Sequence, residues 1–430
     1  MNSELTDLLA IGIPATGLGI AALALMIHQE LGPFASLDRA GKWLLSAAFG
    51  MGLLAFGLKM AVAVAIEGNP GHLAAPHLPF PLLPQAATAA EGVEFANPAP
   101  PRSARHVWAA LPEVAPAPAD NPTTPARVAL GRRLFFEKKL SGDGSLACAS
   151  CHDLFASAGA DGRPTAKGIA GQVGMRNTPT VWNAAFQSVL FWDGRAASLE
   201  EQAMGPILNP LEMGLASPAE AERRLNADAA YRAEFQAAFG DAAPISFVRI
   251  AQAIAAFERT LITPDSPYDR FVRGETGALT RAQLRGMALF ETVGCVLCHR
   301  GPNFSDASLL GGENARRVFP ANATPYETKY GLLVNGERAA WRVASLRNVA
   351  LTGPWLHNGS VDSLPEVVRI MAGAQLGRSA GLTTWLDEKR VLGKVDRSPL
   401  GEREIADLVA FLEALSSDSL RARMSAEKSG

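Results

Sequence analysis

The stretch CASCHDLFASAGADGRPTAKGIAGQVGMRNTPT, residues 148–180, opens with the motif that decides the fold. This C-x-x-C-H motif returns later in the chain as CVLCH, residues 295–299. Two cysteines at this spacing form thioethers to the vinyl groups of a haem, and the adjacent histidine becomes the proximal iron ligand. The sequence therefore predicts two covalently bound c-type haems, held by Cys148, Cys151, His152, Cys295, Cys298 and His299.

The cysteine count argues against the two other common uses of a C-x-x-C pair. The chain has four cysteines, all of them inside the two motifs, so none remains for a disulfide. A zinc site needs four ligands from nearby pairs, whereas each motif offers three. The net charge of −2 gives no indication of nucleic-acid binding. Haem attachment is thus the interpretation that the residues favour.

Helical patterns surround both motifs. TPARVALGRRLFF and PISFVRIAQAIAAFERTLI enclose the first motif, and TRAQLRGMALFET and GEREIADLVAFLEALS enclose the second, with apolar residues at helical spacing in each. No alternating strand pattern of any length is present. The prediction is a mainly α fold with two cytochrome c-like haem domains, 121–275 and 276–420, followed by a tail at 421–430.

The first 69 residues are predicted to be a membrane anchor. Leu8 to Ile27 contains no charged residue, and Trp43 to Ile66 contains only Lys59. About 20 apolar residues at about 1.5 Å each span the roughly 30 Å core of a bilayer. Two transmembrane helices, 8–27 and 43–66, are therefore expected, and two buried core helices are the weaker alternative.

The flanking charges predict how this anchor is oriented. Glu4 and Asp7 precede the first segment, whereas Arg39 and Lys42 lie between the two. Since positive residues stay on the cytoplasmic side, both chain ends are expected outside. This places the protein in the bacterial inner membrane, with the haem domains facing the periplasm. Cleavage after the second segment, which ends near AVAVA, remains an alternative.

Residues 70–120 are predicted to be a linker rich in proline and alanine. Thirteen prolines fall between Pro70 and Pro125. Such a composition favours an extended, semi-rigid chain without a core of its own.

Several further stretches resemble the bacterial dihaem cytochrome c peroxidase family, which includes the MauG-type enzymes. The resemblance covers about Asn121 to Ser416 and keeps the order of the family's motifs. It is carried by LGRRLFFEKKLSGDGSLACASCH, RNTPTVWNAAF, FWDGRAASLEEQAMGPILNPLEMG, GCVLCH, ASLRNVALTGPWLHNG and MAGAQLG. The resemblance implies a peroxidatic haem on His152 and an electron-transfer haem on His299, with Met371 as the second ligand of the latter.

The same resemblance assigns the remaining site residues. Glu212 matches the carboxylate that moves a proton between the peroxide oxygens, and Gln202 matches the amide that helps to hold the peroxide. Pro206 lies on the same face, and Trp192 matches the tryptophan between the haems. One calcium ion at the domain junction is implied by the matching positions Asn177, Thr352 and Pro354.

The loop after the first motif departs from the pattern of several relatives in which the first iron is blocked at rest. Those relatives carry a histidine there that blocks the first iron until the other haem is reduced. The chain has seven histidines, and none lies between His152 and His299. The first iron is therefore expected to be open or to hold only water, and Met175 is a weaker alternative ligand.

Three functions remain open at this point. The leading one is a membrane-anchored peroxidase that reduces hydrogen peroxide to water with electrons from a cytochrome c or quinol. The second is a MauG-type oxidase that modifies a protein residue, although that branch has tyrosine where Met371 lies. The third is a dihaem electron carrier, in which Glu212 and Gln202 would have no role. The oligomeric state is not fixed by the sequence, and a homodimer is an open alternative.

Overall fold

The computed structural model describes residues 38, 41, 106–240, 243–376 and 400–429. The predicted membrane segments, 8–27 and 43–66, lie outside these residues, so the anchor stays a prediction. Within the described residues, no helix has the length and apolar character needed to cross a membrane. The chain divides into two units, Met1–Ala75 and Pro76–Gly430, and all the features below belong to the second unit.

Helices dominate the part of the chain that the structure describes, which confirms the predicted mainly α fold. The helices are α1 Pro125–Phe135, α2 Cys148–Cys151, α3 Leu199–Leu208, α4 Pro218–Asn226, α5 Ala229–Phe239, α6 Phe247–Glu258, α7 Pro267–Val272, α8 Arg281–Thr292, α9 Tyr326–Lys329, α10 Leu364–Ile370, α11 Glu402–Ala414 and α12 Asp418–Ser429. Two short antiparallel strands, β1 Arg316–Phe319 and β2 Ala339–Arg342, pair so that Arg316 lies opposite Arg342.

The first haem domain is built on the crossing of α1 with α6. Thr124 caps α1 by accepting a hydrogen bond from the Arg127 backbone N–H, and Pro125 occupies the first helical turn. Gly131 lies at the crossing point, where a Cβ atom would come within 1.8 Å of the Ala253 carbonyl oxygen. Only glycine permits this approach.

The second haem domain repeats this arrangement with α8 and α11. Thr280 and Gln283 form a capping box at the start of α8. Gly286 lies at the crossing, where a Cβ atom would come within 1.9 Å of the Asp407 carbonyl oxygen. Each domain therefore brings two of its helices together at one glycine, and each has its own buried apolar core.

The end of the predicted linker is part of the folded unit. Leu111 is buried, and its backbone N–H donates to Asp269 Oδ1 at 3.0 Å. The Trp108 ring packs edge-on against Phe411, with 5.9 Å between the ring centroids. The linker was predicted to continue to residue 120, but Trp108 and Leu111 within it pack against the haem domains.

The predicted C-terminal tail is a helix that packs on the first domain. Leu420 and Met424 of α12 are buried together with Ala158, which lies in the loop after the first motif. The Arg423 guanidinium lies 5.3 Å from the centre of the Phe155 ring in the same loop. The chain thus returns from the second domain to the first before it ends.

Candidate active site

The first haem-attachment motif occupies the short helix α2 and the residue after it. His152 Nδ1 lies 3.0 Å from the Gly159 carbonyl oxygen. When the Nδ1 hydrogen is donated to this carbonyl, Nε2 is left as the ligand nitrogen, an arrangement common among metal-binding histidines. Burial lowers the pKa of His152 and keeps the ring neutral, as an iron ligand must be.

A cavity of about 450 Å³ adjoins this histidine. Its walls contain the two cysteines and the histidine of the motif, together with every residue that the resemblance assigned to the first haem and the calcium site. These are Cys148, Cys151, His152, Trp192, Gln202, Pro206, Glu212, Asn177, Thr352 and Pro354. The residues present fit a covalently held haem, because both thiols and a histidine with a fixed Nδ1 line one cavity.

Glu212 lies in the turn that follows α3. Asn209 Nδ2 donates a hydrogen bond to Glu212 Oε1 at 2.8 Å, which leaves Oε2 for a proton. Burial raises the pKa of Glu212, while the Asn209 hydrogen bond and the charge of Arg195 oppose this effect. A carboxylate with a raised pKa is a stronger base, and this suits proton transfer.

The loop after the first motif fixes the backbone of the same turn. The Ile169 N–H donates to the Glu212 carbonyl oxygen at 2.8 Å. Gly168 allows this contact, because a Cβ atom there would come within 1.9 Å of the Leu211 carbonyl oxygen. The position of Glu212 therefore depends on the loop that leaves His152.

Gln202 and Pro206 belong to α3, which Ser198 caps by accepting from the Glu201 backbone N–H. Residues four apart lie on the same face of a helix, so both side chains face the cavity. Proline has no N–H and no side-chain donor, so Pro206 contributes an apolar wall beside the amide of Gln202.

Trp192 lines both cavities, and its role between the haems stays a prediction. Its indole Nε1–H donates to the Asn177 carbonyl oxygen at 2.8 Å. The ring also lies 6.4 Å from the His357 ring in an edge-on arrangement. Hydrogen bonding and packing therefore hold this indole in one orientation.

The second motif adjoins a smaller cavity of about 220 Å³. His299 Nδ1 lies 3.1 Å from the Phe304 carbonyl oxygen, which repeats the arrangement of the first motif. Cys295, Cys298, His299 and Met371 all line this cavity. Met371 begins a π-helical segment, Met371–Gln375, directly after α10. Such segments often mark functional sites, and this one places a thioether in the haem cavity.

The calcium site stays a prediction. The Asn177 side chain donates from Nδ2 to the Arg163 carbonyl oxygen at 2.9 Å, and Thr352 Oγ1 donates to the Val349 carbonyl oxygen at 3.3 Å. No group of three or more His, Cys, Asp or Glu side chains among the described residues is arranged to hold a metal ion. A calcium site here would have to rely on carbonyl oxygens.

Three residues near the cavities were not identified from the sequence. Trp341 lines both cavities, and its ring stacks on His357 with 4.3 Å between centroids. Arg342 also lines both cavities. Glu258, at the end of α6, lines the first cavity, and burial raises its pKa to about 8. Their residue types give no local signal, because only long-range packing brings them to a haem cavity.

Comparisons with known proteins find similar sequences and a similar solved structure. The sequence profile described as di-haem cytochrome c peroxidase matches residues 125–277. The chain is 37% identical over 341 residues to the cytochrome c551 peroxidase of Pseudomonas aeruginosa, covering 75% of this chain and 90% of that protein. It is 37% identical over 314 residues to the cytochrome c peroxidase Ccp of Escherichia coli, covering 70% of this chain but only 60% of that protein.

Among solved structures, one similar chain is described as a MauG-like protein associated with microbial copper homeostasis. Its TM-score is 0.59 at 33% sequence identity, and the match covers 73% of this chain and 97% of that one.

Proposed function

Because the chain belongs to the dihaem cytochrome c peroxidase family, and is therefore an oxidoreductase of the cytochrome c peroxidase type, we propose that it reduces hydrogen peroxide to water in the first cavity. The observation that carries this proposal is the presence of Glu212, Gln202 and His152 in the walls of one cavity. The overall reaction takes one peroxide, two electrons and two protons to two waters.

The haems, when bound, supply the iron and the electrons, whereas the protein supplies a proton carrier. Glu212 Oε2 takes the proton from one peroxide oxygen and returns it to the other, because Oε1 is engaged by Asn209. The amide of Gln202 orients the peroxide, and Pro206 excludes water from the same wall. General acid–base catalysis of this kind contributes about 10²–10⁴-fold to a rate.

The haem attached in the second cavity is proposed to receive electrons from a cytochrome c or a quinol. His299 and Met371 both line this cavity, and they would hold a haem as a histidine–methionine pair, which raises its potential. Trp192 lines both cavities and lies on the path between them.

The membrane anchor and the periplasmic location belong to the same proposal. They are supported by the two apolar segments and by the positive residues between them. An anchored enzyme would meet its donor at a raised effective concentration. A chain beginning at His106 should therefore keep its reaction with peroxide and an artificial donor, yet lose its association with the membrane fraction.

The first iron is proposed to be open before any electron arrives. Met175, the remaining alternative for a blocking ligand, is 68% exposed. No histidine follows His152 in its loop, and Pro206 cannot coordinate iron. The resting protein should accordingly show one high-spin and one low-spin haem.

The experiment that tests the proposal mixes the fully oxidised protein with a small excess of peroxide. The spectrum of the first haem should change at once, and reduced cytochrome c added afterwards should be consumed. Two low-spin haems at rest, or no reaction until one electron is supplied, would contradict the open site. Absence of turnover with every donor would contradict the peroxidase function itself.

A MauG-type oxidase is the second candidate, because the solved MauG-like structure shares the fold. Met371 argues against it, since a methionine–histidine haem suits electron transfer. The two candidates differ in their products, because an oxidase would leave a covalently modified partner protein. A pure electron carrier is a weaker third candidate, because Glu212 and Gln202 in the first cavity would then have no role.

A further inference from the structure

Three arginines are buried in the described part of the chain, and one of them differs from the other two. Arg347 pairs with Asp269 at 2.9 Å, and Arg259 pairs with Glu200 at 2.6 Å. Arg342 is only 9% exposed, yet no carboxylate among the described residues pairs with it. A buried charge without a counter-ion is strongly unfavourable, so this guanidinium is suited to bind an anionic group.

The contacts of Arg342 show which part of the guanidinium remains available. Nε donates to the Phe191 carbonyl oxygen at 3.1 Å, and Nη1 donates to Gln187 Oε1 at 3.0 Å. Both acceptors are neutral, and within the described chain Nη2 has no such bond. Because burial disfavours the charged form and no carboxylate offsets it, the pKa of Arg342 falls to about 10. The side chain is still a cation at neutral pH.

The direction of this side chain identifies the cavity that it serves. Arg342 ends strand β2 of the second domain, but Phe191 and Gln187 belong to the first domain and line the first cavity only. The Arg342 backbone N–H also donates to the Trp192 carbonyl oxygen at 2.7 Å. Arg342 lines both cavities, but its guanidinium is held across the domain boundary by two residues that line the first cavity only.

We propose that Arg342 binds a propionate carboxylate of the first haem, so that the second domain supplies the counter-ion for a cofactor attached to the first. The inference rests on the two haems of the proposed function. A planar guanidinium suits a carboxylate because it donates parallel hydrogen bonds. A cation at this place also favours electron uptake by the first haem, because the charge of the reduced haem is more negative.

The test measures the midpoint potential of each haem in full-length holoprotein carrying Arg342→Gln. The first haem should shift to a lower potential, with at least a tenfold lower ratio of reduced to oxidised haem at the same applied potential, which is 59 mV for one electron. The propionate bending band in its resonance Raman spectrum should shift as well. Arg342→Lys should retain most of the potential, because it retains the charge.

Arg316→Gln is the matched control, because Arg316 lies opposite Arg342 in the strand pair, is exposed and lines neither cavity. Its removal should leave both potentials unchanged, since exposed charges are screened by salt. If Arg342→Gln does not yield folded holoprotein, Arg342→Lys alone tests whether Arg342 binds the propionate. Its altered donor geometry must still shift the propionate band, and an unshifted band would overturn the inference.

Three other results would also overturn the inference. The first is two bound haems with unchanged potentials in Arg342→Gln. The second is a shift confined to the second haem. The third is a wild-type potential that follows the chloride concentration and loses this dependence in Arg342→Gln, which would make the counter-ion a solute anion. Fewer than two haems in the wild-type protein, counted as pyridine haemochromes, would instead overturn the proposed function on which the inference rests.

Discussion

The first and second haem domains share their attachment motif, their glycine-centred helix crossing and a histidine whose Nδ1 meets a backbone carbonyl. They differ in the other side chains that line their cavities. The first cavity, of about 450 Å³, contains a carboxylate and an amide from α3 and the turn after it. The second, of about 220 Å³, contains the thioether of Met371 in a lining that is mostly apolar but includes Arg317, Arg342 and Gln375.

This difference teaches that the motif fixes the cofactor but not its chemistry. A carboxylate beside an open iron can move protons, whereas a thioether completes the coordination and leaves only electron transfer. The following predictions test whether each role belongs to one cavity alone.

The largest effect is expected from Glu212→Gln, which removes the proton carrier and keeps the shape of the side chain. Turnover with peroxide should fall by about 10²–10⁴-fold, and both haem spectra should remain. Steady-state assays with reduced cytochrome c measure the loss. Glu201→Gln, an exposed position on α3, is the control and should be active. Normal turnover in Glu212→Gln would assign the proton transfer to another group.

Met371→Leu should affect the second haem only. The low-spin signature of the second haem should disappear and its potential should fall, because leucine fills similar space but cannot bind iron. Absorption and redox titration of each haem measure this change. Met204→Leu, within the core of the first domain, should leave the second haem unaltered. An unchanged spectrum in Met371→Leu would show that another residue is the ligand.

The two crossing glycines allow the domains to be destabilised one at a time. Gly131→Ala should disrupt the first domain and Gly286→Ala the second, because each new methyl group meets a backbone carbonyl. Each should lower the free energy of unfolding by about 1–3 kcal/mol. Denaturant titrations that follow the absorbance of each haem distinguish the domains. Gly277→Ala, which adds a methyl group in open space, is the control. Equal loss at both haems in either variant would mean that the domains unfold together.

The smallest effect concerns the pH dependence of the first cavity. Glu212 acts as a base when ionised, so kcat/KM for peroxide should fall as pH drops through its raised pKa. Asn209→Ala removes a hydrogen bond that lowers this pKa. The acid limb of the pH profile should therefore move to higher pH. A shift to lower pH would contradict the role of Asn209.

The predicted haem-attachment residues and the helical class can be read from the sequence because they depend on local spacing. His152 and His299 are fixed by their motifs, and Met371 and Glu212 follow from the resemblance to the family. Arg342 could not be found in this way, because its partners at Gln187 and Phe191 are distant in sequence. The packing of residues near the predicted linker and tail boundaries could not be read from the sequence for a similar reason. In the sequence, Trp108 and Leu420 are isolated apolar residues, and their packing partners Phe411 and Ala158 are distant along the chain.

The return of α12 to the first domain has a consequence for the order in which the protein is made. The first motif leaves the ribosome well before Thr352, Pro354 and Trp355, which line its cavity, and before Leu420, which packs against its loop. Domains generally fold from the N-terminal end during synthesis. Here the half that is made first gains these parts of its cavity wall and of its loop packing only after Leu420 has been made.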